Sequence, residues 1–347
     1  MTRLAIRACG LITSGGYCAP SALAAIRAGV RTVERTNIWD PESGTYLAAG
    51  RVALPHWSIE PETLVDLAAC SVVECLLAAL PTRPEKVPIL LGLSEKSRPY
   101  RPDRLDERVL EGVENRIGRS LHPLSCVLPH GRISLATGLQ KAQEIIACGS
   151  ASQVIVAAAD SLLHPNLTRH YLDDRRLLTP MQSNGFCPGE AASALLVVPA
   201  SDAPPDSLEI CGIGSAHELA TVKSGRGLRA DGLTSAVRQA LAQAQLTIQQ
   251  IHYRLSDLNG EHYRFKEMAL AMGRFQRRPT PRQMELWHPI ESVGDVGSAI
   301  GPLLCAVALD AWRQGYAVGP NVLCTMGNDG GERAAVVLSG NLRSAAA

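Results

Sequence analysis

With 347 residues, 46% apolar side chains and 19% charged ones, the chain can bury a substantial core as one large domain or two ordinary ones. A formal charge of +1, carried on scattered basic residues, offers no footprint for nucleic acid or an anionic membrane surface. Ten cysteines stand singly in apolar stretches such as Ala68-Ala69-Cys70 and Leu304-Cys305-Ala306, which reads as reduced thiols rather than a disulfide framework. Arg3 and Arg7 break the first apolar run too early for a signal-peptide core, and no run of about 18 apolar residues occurs, so a cytoplasmic protein without membrane insertion is expected.

Short β-like runs alternate with helical patterns from the start. A strand over Leu4–Leu11 precedes a helix from about Ala19, and a strand over Leu47–Leu54 precedes a helix over Pro61–Leu80. In that helix Leu64, Leu67, Ala68 and Val72 fall on one side at spacings of three and four, so it faces a core. Val87–Leu93 is continuously apolar, as a strand covered on both faces must be, with Pro88 marking its start. A helix follows from about Arg104. The stretch Gly131 to Asp160 predicts a helix opening near Gly131, a turn at Cys148-Gly149-Ser150 and a buried strand. The alternation predicts parallel sheets covered by helices.

The polar tract Pro199 to Asp206, with three prolines, predicts a connector between two halves, 1–200 and 207–347. The second half repeats the alternation: strand Leu208–Ile213, helix Gly232–Ala244, strand Tyr253–Leu258 and a helix over His262–Gly273. Strand Leu286–Glu291, helix Ser298–Gln314 and strands Val322–Met326 and Ala334–Leu338 complete it. Periodicity leaves two Rossmann-like domains open beside a single duplicated fold.

Four tracts carry a resemblance that decides between them. They are Gly131–Asp160, Asp173-Asp174-Arg175-Arg176 with Asn184-Gly185-Phe186-Cys187-Pro188-Gly189-Glu190-Ala191-Ala192, Gly294-Asp295-Val296-Gly297-Ser298, and Cys324-Thr325-Met326-Gly327-Asn328-Asp329-Gly330-Gly331. In order and distance they resemble the nucleophile helix, the glycine-phenylalanine and glycine-glutamate signature, the glycine-histidine loop and the glycine-rich closing loop of β-ketoacyl-acyl-carrier-protein synthases in the thiolase superfamily. The resemblance implies an α/β thiolase fold, a pseudo-duplicated five-layer α/β/α/β/α arrangement, and a homodimer.

The resemblance also implies a cysteine at a helix N-terminus, where the dipole and backbone N–H groups favour thiolate and bind a thioester oxyanion, and two histidines, or a histidine and an asparagine, that hold the malonyl thioester. Counting back from Ile145-Ile146-Ala147-Cys148-Gly149 places the nucleophile position at Arg132; a guanidinium cannot accept an acyl group. Asn259 aligns with the first histidine and Asp295 with the second, so the Cys-His-His triad is not matched. A carboxylate at Asp295 would repel a malonyl carboxylate.

Arg132 reads either as part of an anion site for a substrate or as a surface arginine, and Asn259 and Asp295 either as a remnant pocket or as loop-satisfying polar groups. Cys126, four residues before His130, and Ser134 are the alternative nucleophiles, against buried-thiol and first-turn readings. Gly330 and Gly331 are expected beside the substrate, Glu190 to be structural, Gly189 to permit close chain approach, and His262–Lys266 to form a solvated or pocket-rim face. No metal-ligand spacing, phosphate loop or dinucleotide fingerprint occurs, so neither metal nor other cofactor is expected. The chain is therefore expected to be a synthase-like protein that does not condense, binding an acyl thioester or acyl carrier protein or forming a heterodimer with an active synthase. An acyltransferase with a displaced nucleophile and a non-enzymatic scaffold are the alternatives.

Overall fold

The computed structural model describes residues 2–55, 61–275 and 284–340. It begins with β1 (Leu4–Thr13), α1 (Ala19–Arg27) and a hairpin of β2 (Glu34–Asp40) and β3 (Thr45–Ala49). Helix α2 (Glu62–Ala78), β4 (Ile89–Gly92), α3 (Leu105–Ile117), β5 (Cys126–Leu128), α4 (Ser134–Ala147), β6 (Val154–Ser161), α5 (Pro165–Asp173) and β7 (Glu190–Pro199) follow. The remainder runs β8 (Leu208–His217), α6 (Asp231–Ala244), β9 (Tyr253–Ser256), α7 (His262–Phe275), β10 (Glu285–Trp287), α8 (Ile290–Val293), α9 (Ile300–Arg313), β11 (Asn321–Gly327) and β12 (Glu332–Ser339).

Ten strands pair in the order β10-β9-β11-β12-β8-β1-β7-β6-β4-β5. The two five-stranded half-sheets are joined by the pairing of Leu4–Ile6 of β1 with Leu208–Ile210 of β8. Each half repeats the other: β1, β7, β6, β4 and β5 correspond in order and direction to β8, β12, β11, β9 and β10. The pairing is mixed, which corrects the expectation of parallel sheets. The three outer strands of each half are parallel, because helical crossovers join them, while β1, β7, β8 and β12 run antiparallel to their neighbours.

Three apolar clusters place the layers. Leu135 and Leu139 of α4 and Leu303 and Leu304 of α9 lie between the half-sheets in one core. Leu67 and Val72 of α2 pack with Val109 of α3 on one outer face, and Val237 of α6 with Met268 of α7 on the other. The result is a five-layer α/β/α/β/α fold. Helix α9 is buried without interruption from Ile300 to Leu309, as a helix apolar all round must be when sheets cover both its sides. The central strands use small residues for the same reason, Ala157–Ala159 facing Ala192 and Ala194.

Two expected strands are corrected. Leu47–Leu54 contributes only β3, paired with a polar partner, β2, outside the main sheet. Leu286–Glu291 is strand only to Trp287; Pro289 cannot donate to a ladder and instead precedes α8. The helix expected near Gly131 opens as a 3-10 turn over Gly131–Ile133 and becomes α-helical at Ser134. Among the described residues no helix is long and apolar enough to cross a membrane.

Candidate functional site

Five loops converge where α4 begins between the half-sheets. Gly131 makes this approach possible: its φ is +59°, and a Cβ there would lie 2.4 Å from Glu95 Oε2 and 2.7 Å from Asn328 Oδ1. The following residue, Arg132, is 8% exposed. Its backbone N–H donates to Asn328 Oδ1 at 2.8 Å, and Asn328 Nδ2 donates to the His130 carbonyl at 2.9 Å. Gly131 N–H is likewise bound, by the Leu93 carbonyl at 2.9 Å. The Gly131 and Arg132 amide donors, which could otherwise serve an anion at this helix start, are therefore bonded to the protein itself.

The Arg132 side chain is bonded in the same way. Its Nη2 lies 2.7 and 2.6 Å from the two oxygens of Asp295, which is fully buried. Asn259 Nδ2 donates to Asp295 at 2.7 Å and to Glu261 at 3.2 Å. Arg176 grips both Glu261 oxygens at 2.7 and 2.8 Å and donates to Asp329 at 2.6 Å. Arg264 links Asp329 at 3.2 Å to Asp257 at 3.1 Å, and Asp257 stands 3.9 Å from Arg132 Nη1. The circuit closes.

Three arginines and four carboxylates thus occupy the junction of the loops. Burial pushes the Asp295 carboxyl upward, but the Arg132 charge and its hydrogen bonds outweigh this and hold it below the ordinary carboxylate range. The same balance, dominated on the favourable side by Arg176, depresses the 37%-exposed Asp329 side chain. Burial opposes the Arg132 charge, and Asp295 with Asp257 reverses it, raising the guanidinium pKa.

The structure brings together Arg132, Asn259 and Asp295, the three positions aligned with the triad. Instead of facing a substrate, Arg132 and Asp295 face each other, and the repulsive carboxylate expected at Asp295 is neutralised by its partner. Asp257, Glu261, Arg264 and Asp329 belong to the same set and were not singled out from the sequence. Their signal was present as charged residues at spacings of three and four, Asp257, Glu261 and Arg264, between two apolar runs.

Neither alternative nucleophile is paired with a histidine. Ser134 is buried and donates to the Leu128 carbonyl at 3.1 Å. Cys126 Sγ accepts from Lys141 Nζ at 3.1 Å, whereas His130 pairs with Thr137 at 3.3 Å, so no Cys126–His130 couple forms. Cys324 is buried in β11, away from the ring of charges. Glu190 is structural, accepting from Val52 N–H at 3.0 Å and Ser161 at 2.8 Å. At Gly189 a Cβ would meet the Val293 carbonyl at 2.7 Å, the close approach the sequence implied.

A cleft of about 490 Å³ opens beside the ring, with Arg31, Leu178, Cys187, Asn259, Phe265 and His288 among its lining. Asn259 belongs to both ring and cleft. Phe265 thus sits at a pocket rim, as expected for that tract, while Arg264 beside it is buried in the ring. Gly330 and Gly331 do not line the cleft; Gly331, at φ +111°, packs against the Glu218 carbonyl instead. Burial pushes the Cys187 thiol up to about 12, leaving it protonated and unreactive. Among the described residues no cluster of three or more His, Cys, Asp and Glu side chains is placed to hold a metal ion.

No protein-family model matches the chain, and no curated protein matches it. Solved structures do. The ishigamide ketosynthase/chain length factor superposes with a TM-score of 0.72 at 16% identity, covering 97% of this chain and 99% of that one. AntDE:AntF (apo), a type II PKS acyl-carrier protein in complex with its ketosynthase bound to the hexaketide, gives 0.78 at 13% identity, covering 97% and 99%. The ketosynthase ApeO in complex with its chain length factor ApeC, from Xenorhabdus doucetiae, gives 0.70 at 15% identity, covering 97% and 98%. At these identities the likeness is one of fold: the chain has the thiolase-like fold of ketosynthases over nearly its whole length.

Proposed function

We propose that this ketosynthase-fold chain is a cytoplasmic subunit that does not condense acyl groups and pairs with an active synthase, in the manner that a chain length factor accompanies a ketosynthase. The observation that carries the reading is the closed ring at the start of α4. A condensing site needs a nucleophile, a free oxyanion-binding amide and a proton-handling pair in one open space. Here the nucleophile position is read as Arg132, whose guanidinium is held by Asp295 and whose own backbone amide is held by Asn328.

Retention of the whole fold around an occupied site favours a partner role, because a surface can be conserved in shape without any reacting group. Two structural neighbours combine a ketosynthase with a chain length factor, and a third contains an acyl carrier protein, so the same partner classes are the ones to test. We read residues 1–200 and 207–347 as the two duplicated halves, with β7 and β8 on either side of the connector.

The test is co-expression with a catalytically competent ketosynthase from the same organism, followed by size-exclusion chromatography and a condensation assay. A stable heterodimer whose activity or product length depends on this chain is the expected result. Separate elution, with synthase activity unchanged by this chain, would contradict it. The cleft beside Asn259 is where a thioester-bearing partner would reach the ring, so the assay is best run with acyl carrier protein present.

A further inference from the structure

Strand β5 forms one edge of the ten-stranded sheet, and its first residue, Cys126, stands beside helix α4. Lys141 of α4 donates from Nζ to Cys126 Sγ at 3.1 Å. Pairing with Leu90 of β4 holds the Cys126 backbone, and its side chain packs against the core that contains Leu135 and Leu139. Cys126 and Lys141 are both half-buried, so packing fixes the couple while solvent still reaches it. An ammonium so placed ordinarily meets a carboxylate. Among the described residues Lys141 forms no ion pair, and the sulfur is its hydrogen-bond partner.

Contact with a nitrogen decides what an oxidised sulfur does next. A sulfenic acid is electrophilic at sulfur and condenses with a neighbouring thiol or nitrogen, the latter giving a sulfenamide. Other thiols of the chain are placed differently. Cys75, Cys305 and Cys324 are buried in the cores, and burial pushes the Cys9 and Cys187 thiols up to about 12, which keeps them protonated. Cys18 and Cys148 lie against the hydroxyls of Ser21 and Ser150, which offer oxygen rather than nitrogen.

We infer that Cys126 and Lys141 form a site of oxidative modification, at which a peroxide joins the edge strand to the helix through a sulfur–nitrogen bond. In the first step the sulfur attacks the peroxide. An S–O bond forms, the O–O bond breaks, sulfur is oxidised by two electrons and the peroxide is reduced, releasing water and leaving Cys126 as a sulfenic acid. In the second step the Lys141 amine, having given its third proton to solvent, attacks the sulfur. The S–N bond forms, the S–O bond breaks, and the hydroxyl leaves as water with a proton from the amine. The sulfenamide lacks one hydrogen of the thiol and one of the amine, and the Lys141 charge is lost. Two molecules of a thiol reductant restore both side chains and leave as a disulfide. The bond would fasten the outermost strand to the helix that follows Arg132. The inference stands apart from the ring of charges and from the pairing reading.

The experiment treats the intact chain with hydrogen peroxide, with and without dimedone, and maps tryptic peptides by mass spectrometry without reduction, beside Cys126→Ser and Lys141→Arg. Cys126 falls in the peptide Ser120–Arg132, and Lys141 ends the peptide Ile133–Lys141. The expected product joins these two segments, resists cleavage after Lys141, is lighter than their sum by about two hydrogens, and disappears on treatment with dithiothreitol. Lys141→Arg keeps a cation beside the sulfur but removes the nucleophilic amine, so dimedone labelling of Cys126 should rise at least about five-fold. Cys126→Ser should give no joined product. Wild-type Cys126 that ends as a dimedone adduct or a sulfinic acid, with Lys141 free, would overturn the inference. Cys126 left unoxidised while the exposed Cys70 and Cys148 react would overturn it equally.

Discussion

The Arg132 guanidinium and the Asp295 carboxylate are each too buried to remain charged alone, so each depends on the other. Arg132→Met should therefore cost about 3–5 kcal/mol in urea unfolding, because it leaves Asp295 unpaired, while Arg132→Met with Asp295→Leu should recover most of that loss. A double variant as unstable as the single one would show that the pair is not what holds these loops. The depressed carboxyls at Asp295 and Asp329 also set an acid limit. Their contribution is complete above the unfolded carboxylate pKa of about 4 and is lost as pH falls through the lower folded values. Unfolding midpoints should drop steeply below about pH 4, and less steeply in the Arg132/Asp295 double variant. The sequence places Arg132, Asn259 and Asp295 at the positions its resemblance aligns with the triad. It did not disclose that they bond one another, because that depends on Asp257, Glu261 and Asp329, which adjoin them only after folding.

At the level of elements, the loop between β11 and β12 acts as a clasp on the start of α4. Asn328 bonds the Arg132 amide and the His130 carbonyl, and its own carbonyl accepts from Arg333 at 2.7 Å. Asn328→Ala would leave a buried amide without an acceptor and should lower stability by about 1–3 kcal/mol, measured by chemical denaturation. A change within experimental error would mean the clasp carries no energy. Long, strongly patterned elements were legible beforehand: α2, α4, α6 and α9 have the apolar spacing of helices packed against a sheet, and β4 the unbroken apolar run of a covered strand. The β2–β3 hairpin was not, since Glu34-Arg35-Thr36-Asn37 has no apolar alternation and β3 pairs outside the main sheet. β10 was overextended because Trp287 and Ile290 look continuous in sequence, although Pro289 lies between them.

Across the whole molecule, two five-stranded half-sheets enclose α4 and α9 and bring loops distant in sequence to one point; Arg132 and Asp295 are 163 positions apart. The duplicated order of helices and strands was readable from the alternation of patterns. The convergence of the loops was not, because periodicity records which face of an element is buried and not which loops meet. The layers and the ion-pair ring are physically separable: the apolar cores lie between the layers, and the ring lies at the loop ends. The site at Arg132 should take no acyl group. Incubated with an acyl thioester, the chain should keep its unmodified intact mass at every time point; a covalent acyl adduct that grows with time and maps to a residue of this site would show the opposite.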